Sequence, residues 1–365
     1  MSYPRRAPCL LPCALAAGLV ALAACTSFKQ SGAGAGPADA ASGDGSPGPG
    51  GPSGMDGAAG QDSPASGDDG PPSSGDGGAD CDGASCPIET VVGNLNQGTL
   101  VLVDDTNVYF GDEGTITGNV YQCPKSGCAK PTPLGPGFAT GLGTDGKNVY
   151  WNDFAGGAVV GCAIGGCANQ PMVLAPDQTR AEGVTFDGTN LYWASSGSVL
   201  TCLPPACTTL TAIATGVSTT LVDVASQDGV AYFVSGGSLE SCPVAGCGAA
   251  PTVIAPASGT SVVVKNGFVY FTSNNAVVSC PTTEACAHPH TIGASDDPYG
   301  LGTDGVDLYW LDDIDAVVYR CPVTGCNVGA EHFADGQLSQ PGANVALDGE
   351  YAYWTVPEAV LRKHK

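Results

Sequence analysis

Two sets of residues in this chain have types and spacings that could do chemistry. The first is a recurring cysteine pair. Cys81–Cys86, Cys123–Cys128, Cys162–Cys167, Cys202–Cys207, Cys242–Cys247 and Cys321–Cys326 share the spacing C-x4-C, and Cys280–Cys286 has one residue more. Thiols held this close oxidise to disulfides or bind zinc as thiolates. The second set is acidic and sits in turn-like stretches: Asp112, Glu113, Asp153, Asp177, Glu182, Asp296, Asp297, Asp312, Asp313 and Asp315. Carboxylates gathered in loops suit a hard cation, or an acid–base pair acting on a sugar.

Zinc is the weaker reading of the cysteines. A structural zinc ion wants four ligands converging from two elements. From Cys123 onward the pairs begin about forty residues apart, and the chain has four histidines, His288, His290, His332 and His364. Two cysteines flanking a four-residue turn would instead face each other across a hairpin, within disulfide reach. Seven within-pair disulfides are expected. Each closes about six residues, which loop entropy rates at about 2 kcal/mol at most. Disulfides imply an oxidising compartment.

The acidic loops need elements to carry them, and the same repeat supplies those. Tyr followed by Phe or Trp recurs between the cysteine pairs: Tyr109-Phe110, Tyr150-Trp151, Tyr192-Trp193, Tyr232-Phe233, Tyr270-Phe271, Tyr309-Trp310 and Tyr353-Trp354. Residues 182 to 214 show one full unit. Gly183–Phe186, Asn190–Ala194, Ser198–Cys202 and Leu210–Ala214 read as four strands, A to D, with Asp187-Gly188 as the A–B hairpin turn. Asp145-Gly146, Asp228-Gly229, Asn266-Gly267, Asp304-Gly305 and Asp348-Gly349 repeat that turn. Four strands in about forty residues predict an all-β fold, a β-propeller. On strand B the two dyad rings point to opposite faces, one toward each adjoining blade.

The ends set the blade count. After Tyr353-Trp354 comes a C strand, Ala359–Lys363, with no cysteine hairpin behind it. Before the first A strand come Cys81–Cys86 and a lone strand, Ile88–Val92. Docked as the missing D strand, Ile88–Val92 completes a seven-bladed propeller over residues 81–365, closed by its N- and C-terminal strands.

Residues 1–24 read as an export signal, with Arg5 and Arg6 ahead of a nearly all-apolar run from Cys9 to Ala23. The run ends Leu22-Ala23-Ala24-Cys25, which resembles the bacterial lipobox. That resemblance implies cleavage before Cys25, a lipid on Cys25 and anchorage in a membrane. It also removes Cys9 and Cys13, leaving fourteen cysteines in even pairs. Thr26 after the lipidated residue implies the outer membrane, on its periplasmic or cell-surface face. Residues 25–80 are Gly, Ala, Ser, Pro and Asp with almost no bulky apolar side chain, so a disordered tether is expected.

The dyad and its spacing resemble the YWTD repeats of low-density-lipoprotein-receptor-type propellers, over roughly residues 87 to 365. Thr follows the dyad at Thr272 and Thr355, and Asp stands one place further on at Asp112, Asp153 and Asp312. The resemblance implies the propeller fold and leaves receptor-like binding open. With its acidic tether the chain is also similar to secreted lipoproteins of myxobacteria.

In a propeller the B–C and D–A loops share the face where ligands usually bind. Asp112, Asp153, Asp296, Asp297, Asp312, Asp313 and Asp315, with Phe154 and Tyr299, are the candidate face. The run Asp312-Asp313-Ile314-Asp315 offers oxygens to calcium, the one cofactor considered, although acidic loops also serve solubility alone. No G-x-S-x-G, H-E-x-x-H or phosphate loop occurs. Thirty-five acidic residues against twelve basic ones, net charge −23, exclude a nucleic-acid surface. The expectation is a monomeric, non-catalytic binding or scaffolding module with an envelope protein or glycan as partner. The alternative is a polysaccharide hydrolase or lyase, which needs two loop-face carboxylates converging near the channel, one with a raised pKa.

Overall fold

The structure, a computed structural model, describes residues 85–114, 118–218, 223–337 and 343–365. The export signal, Cys25, the tether and Cys81 lie outside the described residues. Among the described residues, twenty-eight strands form seven antiparallel sheets of four. The A strands are Gly98–Val103, Leu142–Thr144, Glu182–Phe186, Val224–Gln227, Val262–Lys265, Pro298–Thr303 and Val345–Leu347. They line a central channel, with B, C and D following outward. We number the blades 1 to 7 in that order. Blade 7 takes its D strand from the N-terminal side: Glu89–Gly93 pairs with Ala359–His364, Glu89 opposite Arg362 and Gly93 opposite Ala359. An Arg362–Glu89 ion pair at 2.6 Å seals that join.

The core lies between blades, and the dyads build it. Each of seven buried clusters contains the dyad Tyr of one blade and the dyad Phe or Trp of the next, from Tyr109 with Trp151 round to Tyr353 with Phe110. The two rings face opposite ways, as strand alternation requires. Each Trp also donates its indole N–H to the end of the preceding D strand or to the connection after it. Trp151 reaches Pro136 O at 3.1 Å, and Trp193 reaches Gln178 Oε1 at 3.0 Å.

A feature absent from the sequence reading organises the outer seams. The C–D ladder of every blade slips by one residue at the same step. The extra residue is Val91, Leu134, Leu174, Ile213, Ile254, Ile292 or Phe333, and each is buried. The bulge sets two successive residues inward, the apolar one and the small residue or valine after it, on a strand whose other residues are wetter. It also takes that residue's carbonyl out of the ladder. The next blade's cysteine turn supplies a donor: Cys247 N–H to Ile213 O at 2.8 Å, Cys286 N–H to Ile254 O at 2.7 Å, and Cys326 N–H to Ile292 O at 2.9 Å. In blade 7 the first cysteine position of strand C is Lys363. Its Nζ donates to Phe333 O at 2.6 Å.

Six within-pair disulfides join described cysteines, from Cys123–Cys128 to Cys321–Cys326, with Cα atoms 5.0–5.8 Å apart. Their setting differs from the expected cross-strand pair. The first cysteine stands at the end of strand C or one residue before it, but the second lies within the turn, before strand D begins. From there it can reach the neighbouring blade.

The A–B turns are of two kinds. Asp228-Gly229 and Asn266-Gly267 are two-residue turns with φ of +52° and +74°, and +53° and +78°. Elsewhere a longer turn lets the aspartate work through its side chain. Asp145 Oδ1 accepts the N–H groups of Lys147 and Asn148, and Oδ2 accepts the Tyr150 hydroxyl at 2.6 Å. Asp104–Tyr109, Asp187–Tyr192 and Asp348–Tyr353 repeat the aspartate–tyrosine bond. These polar residues fasten dyads and leave the chemistry to the other face.

Candidate functional site

The B–C and D–A loops meet at the channel mouth where the A strands begin. Phe138, between blades 1 and 2, packs against Phe154 of the blade 2 B–C loop, with ring centroids 6.5 Å apart. Tyr299 of blade 6 donates its hydroxyl to Asp313 Oδ1 at 2.9 Å. Beneath them the A strands enclose a cavity of about 850 Å3. Its walls are mainly apolar, including Leu142, Val184, Val262 and Leu301. Apolar walls with a few fixed polar groups are the usual make-up of a ligand pocket.

The acidic residues expected on this face separate into distinct roles. Asp112 holds the loop that enters blade 1, accepting from Gln97 N–H at 2.9 Å. Asp312 has no exposed surface. It accepts the N–H groups of Asp297, Ile314 and Asp315 at 2.9, 3.0 and 3.0 Å. Asp153 caps its own turn through Gly156 N–H at 2.8 Å, and Asp315 accepts the Tyr319 hydroxyl at 2.8 Å. Asp296 and Asp297 are exposed. Asp297 is raised from its ordinary value by partial burial first and then by the charges of Asp312 and Asp313. Asp112 and Asp312 spend both carboxylate oxygens on the loops, while Asp153, Asp313 and Asp315 each spend one. Among the described residues no three His, Cys, Asp or Glu side chains gather as a metal would require.

Thr272 and Thr355, the threonines after the dyad, are clamps too. Thr272 Oγ1 accepts from Thr260 N–H at 3.1 Å and Ser261 N–H at 3.2 Å, and Thr355 Oγ1 donates to Thr99 O of the next blade. Asn152 stands at the equivalent place in blade 2. It accepts from Thr140 N–H at 3.0 Å and donates to Ala181 O of blade 3 at 2.7 Å.

Two carboxylates that do reach the channel come from neighbouring blades. Glu182 opens the A strand of blade 3, and Asp223 precedes that of blade 4; both line the cavity. A Cβ added to Gly183 would lie 2.7 Å from Val224 N, so the two strands touch at this level. Burial raises the Glu182 carboxyl, with Arg180 offsetting part of the effect. Asp223 is pushed up to about 6 by burial, opposed by the N–H groups of Val262 and Val224. Glu113, in the blade 1 B–C loop, is pushed up to about 7, by burial foremost, with the charge of Asp112 adding to it. Sequence reasoning placed Glu182 among loop carboxylates and missed Asp223. Asp223 is a lone acid between Val222 and Val224 in an apolar run, and only the ring brings it beside Glu182.

No family model matches this chain, and no curated protein does. Solved structures do. Virginiamycin B lyase from Staphylococcus aureus superposes with a TM-score of 0.60 at 13% identity, covering 76% of this chain and 98% of the lyase. YCF48 bound to a peptide superposes at 0.54 and 8% identity, covering 76% of this chain and 96% of that one. PorZ, a bacterial surface component of the type-IX secretion system of Porphyromonas gingivalis, superposes at 0.52 and 12% identity, covering 75% of this chain and 37% of its own. At such identities the likeness is one of fold alone.

Proposed function

We propose that this chain is a non-catalytic ligand-binding module of the bacterial envelope, anchored through Cys25. It takes its ligand at the face where the B–C and D–A loops meet. The observation that carries the reading is the cavity of about 850 Å3, apolar in its walls and rimmed by Phe138, Phe154 and Tyr299. A catalytic reading finds less support. None of the described histidines lines the cavity. The Staphylococcus lyase is catalytically inactive when one histidine is replaced by alanine. Capture from an envelope extract by the immobilised protein tests the proposal. Phe154→Ala should lose the captured ligand with an unchanged melting curve. Undiminished capture would move the site elsewhere.

One observation favours a second reading. Glu182 and Asp223 are neighbouring carboxylates with raised pKa values at the channel mouth, the pairing a polysaccharide hydrolase or lyase would use. Against it, Asp223 Oδ2 already accepts Val262 N–H at 3.0 Å as an interblade joint. Release of reducing ends or unsaturated sugars by wild type, but not by Glu182→Gln, would establish the catalytic reading. Mass spectrometry of the mature chain should begin at a lipidated Cys25; an intact Met1 would overturn the anchor.

A further inference from the structure

We propose that the channel mouth between blades 2 and 3 binds a primary ammonium group on an apolar or aromatic body, held by Glu182 and Thr140; this rests on the cavity being a binding site. The two residues occupy the same step where neighbouring inner strands begin, five residues before the turn aspartates Asp145 and Asp187. At that step blades 4 and 5 spend their side chains on the ring. Asp223 accepts Val262 N–H at 3.0 Å, and Ser261 Oγ accepts Gly300 N–H at 2.9 Å. Glu182 and Thr140 are not spent in this way. Glu182 is only 6% exposed, yet its Oε2 has no hydrogen-bond partner, and neither has Thr140 Oγ1. Both residues line the cavity. A buried carboxylate oxygen without a donor is costly, so this pair is built for a donor that arrives from outside.

The fold holds the two residues together. Asn152, with no exposed surface, bonds the Thr140 N–H and the carbonyl of Ala181, the residue before Glu182. A Cβ on Gly141 would lie 2.0 Å from Val184 N, so glycine is required for the blade 2 and blade 3 strands to approach. Arg180 is the nearby cation. Its guanidinium stands 3.7 Å from Glu182 Oε1, beyond hydrogen-bond range, and its side chain is 57% exposed. It offsets part of the Glu182 charge from the solvent side, so a ligand cation would compete with it.

The chemistry selects an ammonium group over a metal ion. An ammonium brings three donors on a compact charge and asks only for oxygen acceptors. Phe138 and Phe154, at the same mouth, give the body of the ligand apolar faces and the charge an aromatic one.

Calorimetric titration of the full chain with 2-phenylethylammonium tests this, with 2-phenylethanol and phenylacetate as neutral and anionic counterparts. The ammonium should bind about tenfold or more tighter than the alcohol, with phenylacetate weakest. Glu182→Gln should erase that preference and leave the alcohol's affinity in place. Arg180→Ala, a surface change, should tighten ammonium binding about two- to fivefold. Equal affinity for ammonium and alcohol, or a preference that survives Glu182→Gln, would overturn the ammonium assignment while the cavity reading stands. Binding of none of the three would overturn both.

Discussion

Between blades 4 and 5 the outer seam is tied by Cys286, whose N–H meets the bulged Ile254 carbonyl at 2.7 Å. Between blades 6 and 7 the same duty falls to Lys363, whose ammonium meets the bulged Phe333 carbonyl at 2.6 Å. One donor is a backbone amide held by a disulfide turn. The other is a buried side chain lying over the Phe333 ring, 4.8 Å from its centroid. What the two seams share is the carbonyl that the bulge takes out of the ladder. A cysteine turn is one way to satisfy it, and a long cation is another.

The largest break in that comparison comes from removing the strand that completes blade 7. Deleting residues 85–93 exposes the Val360 cluster and forfeits Val91 and Val92, each worth about 1.5–3 kcal/mol buried. Thermal melts should show a larger fall than for any single substitution. Next comes the bulge itself. Ile254→Ala should cost about 2–5 kcal/mol in denaturant titration, because its side chain fills the blade 4–5 cluster. Lys363→Met keeps the stem and removes the donor. It should cost about 1–3 kcal/mol, the usual penalty for a buried carbonyl left unpaired. Opening one staple by Cys242→Ala with Cys247→Ala should cost about 2 kcal/mol or less. A loss from Lys363→Met no greater than that of a surface substitution would show that the two seams are not equivalent.

The smallest effect is the pH profile. Asp348 lies below its ordinary value, at about 2: burial raises it, but Lys125, two backbone N–H groups and Tyr353 outweigh burial. Its contribution is present above about pH 4 and is lost as pH falls toward 2. Asp223 and Glu113 work in the opposite direction. Their folded values of about 6 and about 7 favour the protonated acid, so stability declines as pH rises through that range. The melting temperature should peak near pH 4–5, and Asp223→Asn should flatten the neutral side.

The ring was legible in the sequence because its signals are local and repeated. The dyads, the turns and the lone strand Ile88–Val92 each state their place within forty residues. The bulges were not legible. An Ile or Leu among outer-strand residues looks the same whether the ladder slips or not. The aspartate–tyrosine bond left a usable signal, the five-residue spacing of Asp104–Tyr109, Asp145–Tyr150, Asp187–Tyr192 and Asp348–Tyr353. The site was the least legible. Asp112 and Asp312 look like ligands in a one-dimensional reading, because sequence does not say whether a carboxylate faces backbone amides or water. Glu182 and Thr140 lie forty-two positions apart, and only the ring makes them neighbours.

The bulge has one more consequence, for solubility. Seven sheets present seven outer strands, and an exposed strand is a template on which another chain can grow a cross-β stack. Met172, Val173 and Val253 on these strands are about half exposed, so sticky side chains are present. The slip at mid-strand interrupts each template. On either side of the bulge only one or two residues remain in register, and at three of the seams the displaced carbonyl is already held by the next blade's cysteine turn. An incoming strand finds no continuous row of free groups to copy. The device that sews blade to blade thereby also breaks up the edge on which another strand would pair.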